Sequence, residues 1–141
     1  MIDTESLKLH MYDVIGALHT VHHILGPGLN EYCYQEALGR ELQERGIRLE
    51  RERCFHPNYK GVELLATYRT DFICKGDIIV ECKAVGCLNA VMRAQLFNYM
   101  RILKMPSGII VNFLPRYAEI ERYFYDADTR NVISVTGQIM F

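Results

Sequence analysis

The 141-residue sequence contains no apolar run of eighteen or more residues, which excludes a membrane-spanning helix on length alone. Its opening stretch, MIDTESLKLH, holds two acids and lacks the apolar segment of a secretory leader, so a cytoplasmic protein is expected. The five cysteines (Cys33, Cys54, Cys74, Cys82, Cys87) include no CxxC pair. An odd, widely spaced set argues against a disulfide framework or structural zinc, and predicts small buried hydrophobes, with Cys74 and Cys82 inside apolar runs. Basic excess is missing as well. Sixteen Lys and Arg against seventeen Asp and Glu give a net charge of −1, and the pI is about 6.5. Nucleic-acid binders usually display a basic face, but Arg40, Arg45, Arg48, Arg51 and Arg53 are offset by Glu41, Glu44, Glu50 and Glu52. Any nucleic-acid role must therefore rest on a local site. Repeats, low-complexity segments and linkers are also lacking, so residues 1–141 are expected to form a single domain.

What is present reads as alternating helices and strands. Leu7, Met11, Val14, Leu18, Val21 and Leu25 step at helical intervals and predict one amphipathic helix over 6–25, ended by Gly26-Pro27-Gly28. A second helix is expected over 31–45, with Asn30 as N-cap and Gly46 as its stop. Residues 48–55 read as a charged strand, 58–61 as a turn, and 64–74 and 78–84 as strands joined at Lys75-Gly76-Asp77. Helical period returns over 88–103, a buried strand is expected over 109–113, and the tail predicts an edge hairpin. The fold class is α/β, a mixed central sheet flanked by helices with a C-terminal β extension.

The strand at Ile78-Ile79-Val80 is apolar, yet Glu81 and Lys83 follow it two apart and hence on one face. A turn centred on Gly76 sets Asp71 opposite Glu81. Opposed carboxylates repel by a few tenths to about 1 kcal/mol, more when desolvated. Such a pair persists when a shared proton or a cation lies between its members. Mg²⁺ or Mn²⁺, held by carboxylates, a backbone carbonyl and waters, meets that need. The alternative is a structural Asp–Lys or Glu–Lys bridge at a sheet end. Two helices add to the hairpin: Glu31 falls on the apolar stripe with Tyr34 and Leu38, whereas Glu36 does not, and Gln95 shares a stripe with Met92 and Tyr99.

Other signals carry less. His19, His22 and His23 have HxxxH spacing without the HExxH glutamate, and exposed or interfacial positions are expected for them. Tyr59, Tyr68, Tyr117, Tyr123 and Tyr125 are expected to pack on the sheet rather than stack on bases. Tyr34 reads equally as packing or as a partner for a ligand carboxylate.

Asp71, Glu81-Cys82-Lys83 and Gln95 together resemble the PD-(D/E)xK nuclease superfamily. Gly28-Leu29-Asn30-Glu31-Tyr32-Cys33-Tyr34 resembles the motif of its GxxExxY branch, as do Arg69-Thr70-Asp71-Phe72, Ala94-Gln95-Leu96-Phe97-Asn98-Tyr99 and Val111-Asn112-Phe113. The likeness runs from about Val14 to Tyr125; Thr70 stands where the superfamily often has Pro. It implies a restriction-endonuclease-like core with a mixed four-stranded sheet and one or two divalent metals, Mg²⁺ or Mn²⁺. It implies Glu31, Asp71 and Glu81 as metal ligands, with the Cys82 carbonyl as a backbone ligand. Lys83 would activate water and Gln95 would brace the site. The implied partner is nucleic acid, DNA in the first instance, and a homodimer through the first helix or the β tail is a further expectation. The alternative function is a catalytically silent nuclease-fold protein that binds nucleic acid or assists a partner.

Overall fold

The computed structural model describes residues 2–141. Four helices, α1 (Thr4–His10), α2 (Tyr12–Leu25), α3 (Glu31–Glu44) and α4 (Ala90–Leu103), surround ten short strands. These are β1 (Leu49–Arg51), β2 (Cys54–Phe55), β3 (Asn58–Tyr59), β4 (Val62–Glu63), β5 (Tyr68–Arg69), β6 (Phe72–Cys74), β7 (Ile78–Lys83), β8 (Ser107–Asn112), β9 (Glu119–Asp126) and β10 (Asn131–Ser134). The main sheet has six strands in the order β1-β6-β7-β8-β9-β10, two more than the four expected, with β1 at one edge and β10 at the other. Among the described residues, only β7 and β8 run parallel. A parallel pair needs a crossover, and α4 supplies it.

The period-two alternation of β7 sorts its side chains between two cores. Ile78, Val80 and Cys82 join the cluster under α2 and α3; Ile79 joins the cluster under α4. Gly108 lets α4 approach β8 closely, since a Cβ there would run into Met100 Sδ and Leu96. Among the described residues, no helix is long and apolar enough to cross a membrane.

Three expectations need correction. The first helix is two helices that break at buried Met11 (φ −93°, ψ 0°). At the break Lys75 Nζ donates to the His10 carbonyl at 2.8 Å and to Asp13 at 2.8 Å, so a long-range partner replaces one turn of the helical ladder. The expected strands 48–55 and 64–74 are each interrupted. Their register runs in phase from Leu49↔Cys74 through Arg51↔Phe72 to Phe55↔Tyr68. The main sheet nevertheless ends at Arg51, because Glu52 takes a left-handed φ of 53°. Residues 64–67 leave strand geometry altogether, with Leu65 fully in solvent. The cysteines also divide: Cys74 and Cys82 are buried, whereas Cys54 and Cys87 are exposed.

Candidate metal centre

Asp71 lies at the break in the sheet, one residue before β6 and opposite left-handed Glu52, whose N–H donates to the Asp71 carbonyl at 3.0 Å. The ladder between β6 and β7 stops at Phe72↔Val80. Beyond it, side chains take over the cross-strand bonds. Asp71 Oδ2 accepts from the Cys82 N–H at 2.8 Å, and Glu81 Oε1 accepts from the Asp71 N–H at 3.4 Å. Asp71 and Glu81 are therefore juxtaposed as the turn at Gly76 predicts.

Glu81 is 4% exposed. Burial first, then the charge of Asp71 and a hydrogen bond with it, push its carboxyl well above the ordinary range. The fold therefore favours the protonated form of Glu81. Lys83, two residues along the same face and half-buried, opposes that shift by its charge. Among the described residues the Lys83 side chain forms neither a salt bridge nor a hydrogen bond, so the structural bridge considered from sequence is not what holds this hairpin.

Glu31 enters from the first turn of α3. Asn30 caps that helix, its Oδ1 accepting from the Cys33 N–H at 2.9 Å. The Glu31 carboxyl is half-buried and raised, by burial, then by Asp71, with Lys83 opposing; it thus senses the hairpin from the far layer. Its direct partner is Gln35 Nε2, at 3.1 Å. Gln35 is buried, and sequence reasoning missed its role; spacing of four from an inward-facing acid was the available signal.

Gln95 departs from expectation. It is exposed rather than turned into the core, and its Nε2 donates to Tyr99 Oη at 3.0 Å. The Tyr99 hydroxyl is in turn made less acidic by burial and then by the charge of Glu81. Tyr34 is likewise no ligand partner. Its hydroxyl donates to the Gly26 carbonyl at 2.6 Å and accepts from the Leu29 N–H at 3.1 Å, tying down the loop before α3. His22 is buried with Nε2 2.8 Å from the Pro115 carbonyl, while His19 and His23 are exposed. Of the tyrosines, Tyr123 and Tyr125 are buried as expected; Tyr59, Tyr68 and Tyr117 are not.

Among the described residues, no three His, Cys, Asp or Glu side chains converge as a ready ligand group. The donors do fit a hard cation: a juxtaposed carboxyl pair, and a buried Cys82 whose thiol is raised far from ionisation, leaving its carbonyl as donor. Mg²⁺ commonly uses one or two carboxylates and completes its shell with water.

The chain resembles the crystal structure of SSO0001, at 21% identity over 62% of its length and a TM-score of 0.50. That likeness concerns the fold alone, and the chain spans 46% of that protein. No functionally curated protein matches it. Residues 8–123, from α1 to β9 and including Glu31, Asp71, Glu81, Lys83 and Gln95, match one nuclease family. The chain belongs to the PD-(D/E)XK nuclease superfamily.

Proposed function

We propose that this protein is a metal-dependent nuclease that hydrolyses phosphodiester bonds in nucleic acid, DNA in the first instance, with residues 1–141 acting as one domain. The observation that carries the reading is buried Glu81 set against half-buried Asp71, with the Lys83 side chain unpaired on the same strand face as Glu81. A divalent cation between the two carboxyls would offset the repulsion that raises Glu81. Asp71, Glu81 and the Cys82 carbonyl would hold Mg²⁺ or Mn²⁺, with Glu31 as the third carboxylate, directly or through water. When bound, such a cation acidifies water and offsets charge in the phosphoryl transition state.

The chain's own groups do the remainder. Lys83 holds and orients the attacking water or a phosphate oxygen. Glu31, kept in place by Gln35, adds negative charge that favours cation binding. Gln95 braces the wall of the site through Tyr99.

The test is a Mn²⁺-dependent cleavage screen over single-stranded, double-stranded and branched DNA and RNA. Wild type is expected to cut at least one substrate; Asp71→Ala and Lys83→Ala are each expected to lower the rate at least 100-fold. A panel with no cleavage at all sinks the enzyme reading. One observation favours a silent binding protein instead: the three carboxylates do not converge as a ligand group. That reading predicts no rise in Tm with Mg²⁺ or Mn²⁺, whereas the nuclease reading predicts a rise that Asp71→Ala removes.

A further inference from the structure

Past the break at Glu52, the strand pair β2–β5 leaves the main sheet and folds against α4. Its aromatic side chains meet the helix: Phe55 lies edge-on to Tyr99 with centroids 5.2 Å apart, and Tyr68 meets Tyr99 at 5.9 Å and 60°. Between this arm and α4 lies a cavity of about 560 Å³, inside the roughly 300–1,000 Å³ range of small-ligand sites. Val91, Ala94 and Ile102 supply its aliphatic wall, Tyr68 and Tyr99 its rings, and Gln95 and Asn98 two carboxamides. No charged side chain lines it.

That lining does not suit a phosphate, which requires cations or clustered N–H donors. It suits a flat, neutral group with polar edges. Tyr68 remains 42% exposed despite its two ring contacts, and the Asn98 carboxamide makes no hydrogen bond with the described residues. The cavity also lies on the side of the sheet that Glu81 and Lys83 face. Tyr99 forms part of its wall and packs in one cluster with Ile79 of β7, and Ile79, Glu81 and Lys83 share a face of that strand.

We propose that this cavity is a nucleobase subsite, receiving one unpaired base of the strand whose phosphate lies at Asp71, Glu81 and Lys83. The inference rests on the nuclease reading and narrows it. A base stacked inside a duplex cannot enter a pocket of this kind without being unpaired, so the preferred substrates are single strands, overhangs or unpaired junctions. Tyr68 supplies the stacking face, a sequence-tolerant contact, and the Gln95 and Asn98 amides meet the base edge.

The experiment measures binding, not turnover. Fluorescence anisotropy follows an end-labelled single strand and a hairpin-closed duplex of the same sequence, in EDTA and again in Ca²⁺. The single strand is expected to bind at least tenfold more tightly than the duplex. Tyr68→Ala is expected to weaken single-strand binding about 5- to 100-fold, and Ala94→Leu, which fills the cavity from a helix position that favours Leu, to weaken it comparably. Tyr68→Phe keeps the stacking face and is expected to bind like wild type. An abasic residue moved along the strand is expected to weaken binding at one position. Equal affinity for strand and duplex, no binding of either, or unaltered binding by both Tyr68→Ala and Ala94→Leu overturns the proposal. Far-UV circular dichroism identifies a variant that has unfolded, in which case the Ala94→Leu and abasic results decide. Tyr68-dependent binding without cleavage keeps the subsite and refutes the nuclease; cleavage indifferent to Tyr68 and Ala94 does the reverse.

Discussion

A carboxyl group buried beside a second carboxyl destabilises the folded chain as soon as both ionise. Glu81 is in that position, and the sign of its effect follows. Its folded value is raised above 4.5 by burial and by Asp71. The folded state therefore binds its proton more tightly than the unfolded state does. The stability that Glu81 contributes is fully present below about pH 4.5 and is lost as pH rises through the folded value. The metal-free protein, in EDTA, is thus expected to lose Tm between acidic and mildly alkaline pH. Glu81→Gln, neutral and nearly isosteric, is expected to flatten that loss and to melt a few degrees higher than wild type at pH 8. With Mn²⁺ the order reverses, because only wild type gains a ligand-stabilised folded state. Thermal melts across pH decide the matter; a Glu81→Gln variant less stable than wild type at pH 8 in EDTA would contradict the account.

Among the elements, α3 and the loop before it act as one device for placing Glu31. Gly28 occupies φ +87°, a left-handed conformation that non-glycine residues rarely adopt. Its N–H donates to the Leu114 carbonyl at 3.2 Å, just past the end of β8. Tyr34 closes the loop through two bonds of its hydroxyl and stacks on Phe113 at 4.7 Å. Tyr34→Phe retains the stack but leaves the Gly26 carbonyl and the Leu29 N–H without their partner. It is expected to destabilise the fold by about 1–2 kcal/mol, read from denaturant midpoints, and to lower cleavage by loosening Glu31. Unchanged cleavage in a destabilised Tyr34→Phe would separate the loop from the site.

This level also marks what the sequence could convey. Periodicity located α3, α4 and β7, and the Gly76 turn paired Asp71 with Glu81, because each depends on neighbours within a few residues. The division at Met11 depends on Lys75, more than sixty residues away, and local spacing carries no trace of it. Glu52 bears a charged side chain in a charged run, so nothing in its identity announces a left-handed backbone. Gln95 was misjudged for a related reason: helical phase relates it to Tyr99, but only the folded arm determines which part of that stripe is covered. The aromatic cavity stayed hidden because Tyr68 meets α4 only after the strand breaks.

For the molecule as a whole, the balance of charge sets how nucleic acid can be held. Much of the basic surface is already engaged: Arg45 with Glu41 at 2.7 Å, Arg53 with Glu50 at 3.8 Å, Arg69 with Glu52 at 4.0 Å, and Arg93 with Glu121 at 2.7 Å. Counterion release scales with the number of phosphates neutralised. If Lys83 and one or two neighbours make those contacts, single-strand affinity is expected to fall only about 3- to 20-fold between 50 and 200 mM salt, with a log–log slope of roughly −0.7 to −2. Anisotropy titrations across that range measure it directly. A loss of about 10³-fold or more would require six or more phosphate contacts. Two surfaces would offer them: the groove beside the base cavity, lined by Arg101, Lys104 and Arg130, and the grooves beside α2 and β9, lined by Lys8, Arg116 and Arg122 without acidic side chains. Arg116 and Arg122 form no salt bridge among the described residues. If the second surface takes part, Arg116→Ala with Arg122→Ala would flatten the slope by about one to two units; a steep slope that survives both changes would place the added contacts in the groove beside the base cavity.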